Sequence, residues 1–199
     1  LMTIIKFIFI AIIGYLLGSV NTSLVVGKFY SVDVRKHGSG NAGITNTYRT
    51  LGKSAALFVL VGDVLKGVLS CLLGYLIAGK TGAIVGGGFS IIGHNWPLYF
   101  GFKGGKGVLT SFAVMVFIDW KLAGIVFIVF LIIFLLTKYV SLSSIIGALA
   151  LPITAILLNR DLEVVIFSVL LSLILIARHH SNIERLLKRT EPKFSRKAG

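Results

Sequence analysis

"LAGIVFIVFLIIFLLT", Leu122 to Thr137, runs for 16 residues without a charge and is bracketed by Lys121 and Lys138. Similar windows recur at about 4–20, 54–78, 82–93, 107–118, 142–158 and 163–177. Hydrophobic residues make up 56% of the 199-residue chain and its mean hydropathy is +0.94, well above a soluble domain. A bilayer core about 30 Å thick admits only helices or closed barrels, because every backbone polar group there must be satisfied internally. Strict alternation of polar and apolar residues is absent, so the windows are read as helices. The expected fold is an all-α integral membrane protein, a bundle of seven transmembrane helices in a single domain over 1–199. The windows at 82–93 and 107–118, about 12 residues each, are short enough to be tilted or re-entrant.

Charge sets the expected orientation. The formal net charge is +13, from 20 Lys and Arg against 7 Asp and Glu. One set of alternate connections carries 15 of those cations, the last being Arg196 and Lys197, while the other carries only Lys6, Lys80, Lys121 and Arg160. Lys66 lies inside the second window. The positive-inside rule then puts the N-terminus outside and the C-terminus in the cytoplasm. Topology accounts for most of the excess, and no nucleic-acid partner is expected. The first window lacks a small-residue cleavage pattern and is read as a membrane segment. Cys71 is a lone packing residue, and no Cys/His spacing suggests a metal.

Polar chemistry gathers in the cytoplasmic connections, at about 21–53, 94–106, 138–144 and 178–199. The first contains "DVRKHGSGNAGITNTYRTLGK", Asp33 to Lys53. Its glycines, Gly38 and Gly40 among them, can turn several N–H groups towards one anion. Ser39, Asn41, Thr45 and Asn46 add side-chain donors, and Arg49 can clamp the same anion with two bonds. A solvated turn is the competing reading. The second contains "GHNWPLYFGFKGGKGV", Gly93 to Val108, with His94, Lys103, Gly104, Gly105, Lys106 and Gly107. Glycine-rich turns entering a helix N-terminus bind phosphate, whereas lysines at the headgroups serve as anchors. Since an anchor needs no glycine, phosphate binding is favoured. The spacing is not that of a P-loop, which would need Gly at Phe100 and Ser or Thr at Gly107.

Three further features carry polar groups. Asp63 and Lys66, three apart on one helix face, form either an internal ion pair or an anion site. "KYVSLSSI" places Ser141, Ser143 and Ser144 at a helix start, where capping is the ordinary role. In "ARHHSNIERLLKRTEPK", His179 and Asn182 share a face at the membrane boundary. His179 and Glu184, five apart, do not.

Taken together, "GSGNAGITNTYRTLG", "DVLKG", "GHNWPLYFGFKGGKGV", "KYVSLSSI" and "HHSNIERLL" resemble the bacterial acyl-phosphate:glycerol-3-phosphate acyltransferases, the PlsY family. The likeness covers nearly the whole chain. It departs from the family pattern at His180, where Arg is usual, at Arg189, where Gly is usual, and at Ile44, where Ala is usual. The resemblance implies a multi-pass enzyme of the bacterial inner membrane with its active site facing the cytoplasm. That enzyme moves a fatty acyl group from acyl phosphate to the 1-hydroxyl of glycerol 3-phosphate, giving lysophosphatidic acid. It implies Ser39, Arg49, His179 and Asn182 as catalytic and the Gly101–Gly107 loop as the glycerol 3-phosphate site. Gly38, Gly40, Asn41, Thr45, Asn46, Lys66, His94, Ser141 and Ser143 are taken as further substrate contacts, with Asp63 and Glu191 structural. No metal, cofactor or obligate protein partner is expected. The contrasting class, an organic-phosphate transporter, would place its site near the midplane between repeats. No convincing repeat is visible.

Overall fold

The computed structural model describes residues 1–194, so Arg196 and Lys197 of the charge count lie outside the described residues. Among the described residues every regular element is helical. The chain forms two compact units, Leu1–Ile118 and one beginning at Asp119.

The first unit contains α1 (Met2–Ser19), α2 (Thr22–Phe29), a 3₁₀ turn (Val34–Lys36), α3 (Ile44–Leu51), α4 (Lys53–Asn95), a second 3₁₀ turn (Leu98–Phe100) and α5 (Val108–Ile118). The windows at 54–78 and 82–93 are both arms of α4. Its helix is interrupted only at Ala78 and Gly79, where φ becomes −144° and +61°. The loop expected around Lys80 is absent, since Ala78 and Gly79 supply the reversal and the helix resumes at once. Small residues bring the arms together: a Cβ on Gly82 would strike the Gly74 carbonyl, and one on Gly86 the Ser70 carbonyl. The pairing of 74 with 82 and 70 with 86 makes an antiparallel hairpin. α1 packs on the same arm, with Gly14 and Gly18 against the backbones of Gly86 and Ser90. Between apolar helices in lipid, such close backbone approach supplies the van der Waals contact that hydrophobicity cannot.

The second unit contains α6 (Trp120–Thr137), α7 (Val140–Leu157), α8 (Leu162–Arg178) and α9 (His180–Leu187). α8 and α9 meet at a bend of 58°. Asp119 caps α6, accepting from Leu122 N at 3.0 Å, and pairs with Arg160 at 2.6 Å, which ties α6 to the α7–α8 turn.

Burial differs from that of a soluble protein. Ser19, Asn21, Ser90, Asn95 and Thr110 are buried, as are Asp63, Lys66 and His94, while Leu, Ile and Phe side chains of α1, α4 and α6 are exposed. Buried polar groups beside apolar ones such as Val59 and Val114, with an apolar exterior, suit lipid as solvent. Four helical stretches are long and apolar enough to cross a membrane, Met2–Phe29, Lys53–Phe100, α6 and α7, and the bent α8–α9 pair makes five. This count takes the α4 hairpin as one, and α5 is short, which is why it falls below seven.

Two expectations of local structure are corrected here. Thr45 and Asn46 lie in α3 rather than in a loop, because α3 is a short amphipathic helix whose weak apolar pattern the loop reading overrode. The serines after Tyr139 do not cap α7: Ser143 and Ser144 hydroxyls donate to the Tyr139 and Val140 carbonyls, each at 2.8 Å. A helix-start serine inside the first turns bonds backwards in this way, since its hydroxyl reaches the carbonyl four residues earlier.

Gly82→Val is expected to destabilise the first unit by about 1–3 kcal/mol, because a branched side chain cannot enter the hairpin contact without moving backbone. Thermal unfolding in detergent against the wild-type chain measures it. An unchanged midpoint would mean the arms do not meet there.

Candidate functional site

In the first unit the two glycine-rich loops are held side by side. The Arg35 guanidinium is the clasp: Nη1 donates to the carbonyls of Phe100 at 3.1 Å and Lys103 at 3.2 Å, while Nε and Nη2 bind the Asp33 carboxylate at 3.0 and 2.9 Å. The hydrogen-bonded Arg35 holds the Asp33 carboxyl below the usual carboxylate range, against the opposing effect of partial burial. Asn21 adds a second clasp. Its oxygen caps α2 by accepting from Leu24 N at 3.1 Å, and its amide donates to the Ala42 carbonyl at 3.3 Å and the His94 carbonyl at 3.5 Å. Ala42 and Gly105 then touch, and a Cβ on Gly105 would strike both the Ala42 carbonyl and His94 Nε2.

Within the first loop, Asn46 acts as a brace. Its oxygen accepts from Ser39 N at 2.8 Å and its amide donates to the carbonyls of Val34 at 2.8 Å and His37 at 3.0 Å. Gly38 has φ +59°, and a Cβ there would meet the Asn46 amide oxygen, so only glycine fits. Ser39 is thus fixed on α3, and Arg49 follows Asn46 by three residues, on the same face of that helix. Ser39, Asn41, Thr45 and Arg49 are all half-buried, and Gly38 and Gly40 are exposed. Ser23 and Thr47 hydroxyls, 2.6 Å apart, join α2 to α3 beneath them.

The second loop departs from a simple N–H cradle. Gly104 N donates to the Asn95 carbonyl at 3.3 Å and Gly105 N to the His94 carbonyl at 3.2 Å, so both groups close the C-terminal end of α4. Gly107, at φ +77°, then turns the chain into α5 beside the Asn95 side chain. The loop's cations are the ammonium groups of exposed Lys103 and half-buried Lys106. Lys66 and His94, expected as phosphate contacts, are instead buried beneath this loop with Asp63, which is 2.8 Å from the Lys66 ammonium.

The second unit has its own polar node. Glu191 Oε1 accepts from the Ser141 hydroxyl at 2.6 Å and from the Asn182 amide at 2.7 Å, and Oε2 pairs with Arg185 Nε at 2.7 Å. Burial alone would raise the Glu191 carboxyl, but the three donors outweigh it and hold the group below the usual glutamate range. His179 ends α8 and opens α9. Its Nδ1 donates to the Leu175 carbonyl at 2.7 Å, since a carbonyl only accepts, which leaves Nε2 as the basic nitrogen of the neutral ring. The adjacent His180 is exposed, with Nδ1 on the Ala177 carbonyl at 3.1 Å. Glu184 pairs with Lys188 at 2.6 Å, away from any role beside His179. Among the described residues no group of three His, Cys, Asp or Glu is arranged to hold a metal.

The family profile described as "Glycerol-3-phosphate acyltransferase" matches residues 8–189. The chain belongs to the glycerol-3-phosphate acyltransferase (PlsY) family. Glycerol-3-phosphate acyltransferases of Alkaliphilus metalliredigens and Thermoanaerobacter pseudethanolicus are 46% and 43% identical to it, each over 94% of this chain and 96% and 95% of their own lengths. A crystal structure of PlsY (YgiH), an integral membrane glycerol 3-phosphate acyltransferase in its glycerol 3-phosphate form, superposes with a TM-score of 0.90 at 37% identity. It covers 95% of this chain and 96% of that one. The lysophosphatidic acid form of that enzyme superposes with a TM-score of 0.87 at 36% identity, over 95% of each chain.

Sequence reasoning missed Asn21 and Arg35, the two clasps. Asn21 was legible as an N-cap, standing before "TSLVV". Arg35 was counted for topology alone, and nothing local distinguishes it from Lys36.

Glu191 sets a pH limb. Its carboxyl titrates near 4.5 when unfolded and lower when folded, so its stabilisation is complete above about pH 4.5 and fades as the pH falls through the folded value. Glu191→Gln is expected to unfold at lower temperature at pH 7 and to lose less stability than wild type between pH 5 and about 3. Parallel acid limbs in thermal unfolding would show that the node is not the source.

Proposed function

We propose that the chain transfers a fatty acyl group from acyl phosphate to the 1-hydroxyl of glycerol 3-phosphate, releasing lysophosphatidic acid and inorganic phosphate. The observation that carries this reading is the clasping of two glycine-rich, basic loops in one unit of a family member, since both substrates carry phosphate. In the proposed step the glycerol oxygen attacks the acyl carbonyl, the carbon–oxygen bond to phosphate breaks, and phosphate leaves with the electron pair. An acyl phosphate is a mixed anhydride, already activated, so neither an acyl-enzyme nor a metal is needed. Ser39 and Arg49 stabilise the charge that develops on the acyl phosphate. Lys103 and Lys106 attract the glycerol 3-phosphate, with Gly107, Gly40, Asn41 and Thr45 as further contacts. The hydroxyl proton passes to the substrate's own phosphate. A second reading gives it to His179, favoured by the tautomer that leaves Nε2 basic. Asn182 and Ser141 then serve by way of Glu191, and Ser143 and Asn46 as braces.

The topology we propose has seven crossings, with the α4 hairpin counted as two and α5 as one. The N-terminus is outside, the loops at 33–53 and 94–107 are cytoplasmic, and the membrane is the bacterial inner membrane. Membrane lipid is the surrounding partner, and the acyl chain lies along apolar helix surface while its head reaches the interface.

Purified protein with labelled glycerol 3-phosphate and either palmitoyl phosphate or palmitoyl-CoA tests the donor. Product is expected from palmitoyl phosphate only. Product from the thioester alone would reject the donor assignment, and uptake of glycerol 3-phosphate into sealed vesicles without conversion would mean transport instead. Ser39→Ala and Arg49→Ala are expected to lower kcat by about 10²–10³. If His179→Ala abolishes turnover while folding is retained, the proton goes to His179.

A further inference from the structure

Lys66 Nζ, on a residue only 5% exposed, has three neighbours at hydrogen-bond distance. They are Asp63 Oδ1 at 2.8 Å, His94 Nδ1 at 2.8 Å and the Val20 carbonyl at 3.1 Å. An ammonium has three N–H donors and no acceptor. Asp63 Oδ1 is an ion-pair contact without hydrogen-bond geometry, so the ammonium donates to the Val20 carbonyl and to His94 Nδ1, which has to accept. A proton on Nδ1 would face that ammonium, and the other carboxylate route is long, with Asp63 Oδ1 3.5 Å from Nδ1. The Thr110 hydroxyl, also 3.5 Å from Nδ1, is no substitute for Lys66. The ring proton is thus on Nε2.

Nε2 faces the loop contact. It lies against the backbone of Gly105, at the point where the Ala42 carbonyl also arrives. His94 holds that contact from its main chain as well, since its carbonyl receives Gly105 N and the Asn21 amide. The imidazole consequently stands between a buried ion pair and the meeting of the two glycine-rich loops.

We propose that Asp63, Lys66 and His94 are positioning residues: the ion pair fixes the His94 ring as its Nε2–H form, and that ring sets the glycine loop 101–107 at the height and register that accept glycerol 3-phosphate. The inference rests on the acyltransferase reading for its substrate but not for its tautomer. It offers an alternative to the expectation that Lys66 and His94 touch phosphate, since the Lys66 ammonium is paired with Asp63 and hydrogen-bonded to the Val20 carbonyl and His94. The buried pair would be poorly explained by stability alone, because apolar residues of like volume commonly do as well.

Histidine-selective ¹⁵N labelling of the full chain in detergent reads the tautomer. The expected His94 signals are a protonated Nε2 and a bare, hydrogen-bonded Nδ1, the latter moving in Asp63→Asn/Lys66→Met, which removes the pair as a balanced unit. His94→Asn keeps an acceptor near Nδ1 and loses the Nε2 donor. Its KM for glycerol 3-phosphate is expected to rise about tenfold or more, with kcat within about threefold and KM for the acyl donor unchanged. His94→Gln, whose amide can reach the Nε2 position, is expected to recover much of the loss. A purely structural role would reduce the active fraction and hence kcat, without this split. An Nδ1–H tautomer in the wild type, or an unchanged KM in His94→Asn, overturns the proposal. Should the double variant not fold, the wild-type spectrum and the two His94 variants decide. If wild-type protein makes no product from either donor, the acyltransferase reading fails on its own; the nitrogen spectrum and calorimetric binding of glycerol 3-phosphate then test the relay.

Discussion

Lipid offers no hydrogen bonds, and that constraint accounts for most of what this chain does with its polar residues. Backbone groups are satisfied inside helices, and several polar side chains within α4, Lys66 and Ser70 among them, turn inward to partners. Ser70 donates to the Lys66 carbonyl at 2.7 Å, and Lys66 itself is surrounded by Asp63, His94 and the Val20 carbonyl. A charge pair in such a place is tolerable only when both members are matched, and losing one partner costs about 3–5 kcal/mol. The same constraint selects glycine where helices meet. Leucine against leucine gains little when the alternative is leucine against lipid, so contact comes from backbones that approach closely, as at Gly74 and Gly82.

Irregular backbone between the helices needs its own satisfaction, and the first unit supplies it with a few polar side chains of fixed geometry. Asn46 serves three backbone groups of its loop and Arg35 two carbonyls of the other. Asparagine suits the first task because one planar amide both donates and accepts. Arginine suits the second because its fork can hold a carboxylate on one side and carbonyls on the other. A loop braced in this way keeps its shape without a hydrophobic core of its own. A binding site made of short loops needs that rigidity. Ser39 is presented by such a brace, since the bond from its N–H to Asn46 fixes its backbone against α3.

The apolar windows were legible because their signal is local and strong. "LAGIVFIVFLIIFLLT" has no other comfortable environment, and it is α6 nearly to the residue, Trp120–Thr137. The ends of α1, α7 and α8 were close for the same reason. What failed to show was decided at long range. α3 carries polar residues that look like a loop until packing against α4 gives them a buried face, and Asn46 looks like a donor until the backbone groups it serves are in place. Gly104 and Gly105 likewise read as a phosphate cradle from composition, but their N–H groups face the end of α4, a relation that no spacing reveals. Asp63 and Lys66 were legible as a pair from their separation of three; the third member, His94, lies 28 residues beyond Lys66, across the hairpin.

The net charge of +13 gains meaning from where the few acidic residues are. Asp33 is paired with Arg35, Asp63 with Lys66, Asp119 with Arg160, Glu184 with Lys188 and Glu191 with Arg185. These five partners are structural. These five carboxylates are therefore placed where they lock helix ends and loops. On the proposed function, the net positive field of the chain would draw an anionic substrate towards it without any specific contact. Selectivity has to come from elsewhere, since such a field draws every anion alike. The rigid backbone geometry that Arg35, Asn21 and Asn46 impose on the two glycine-rich loops is what can discriminate.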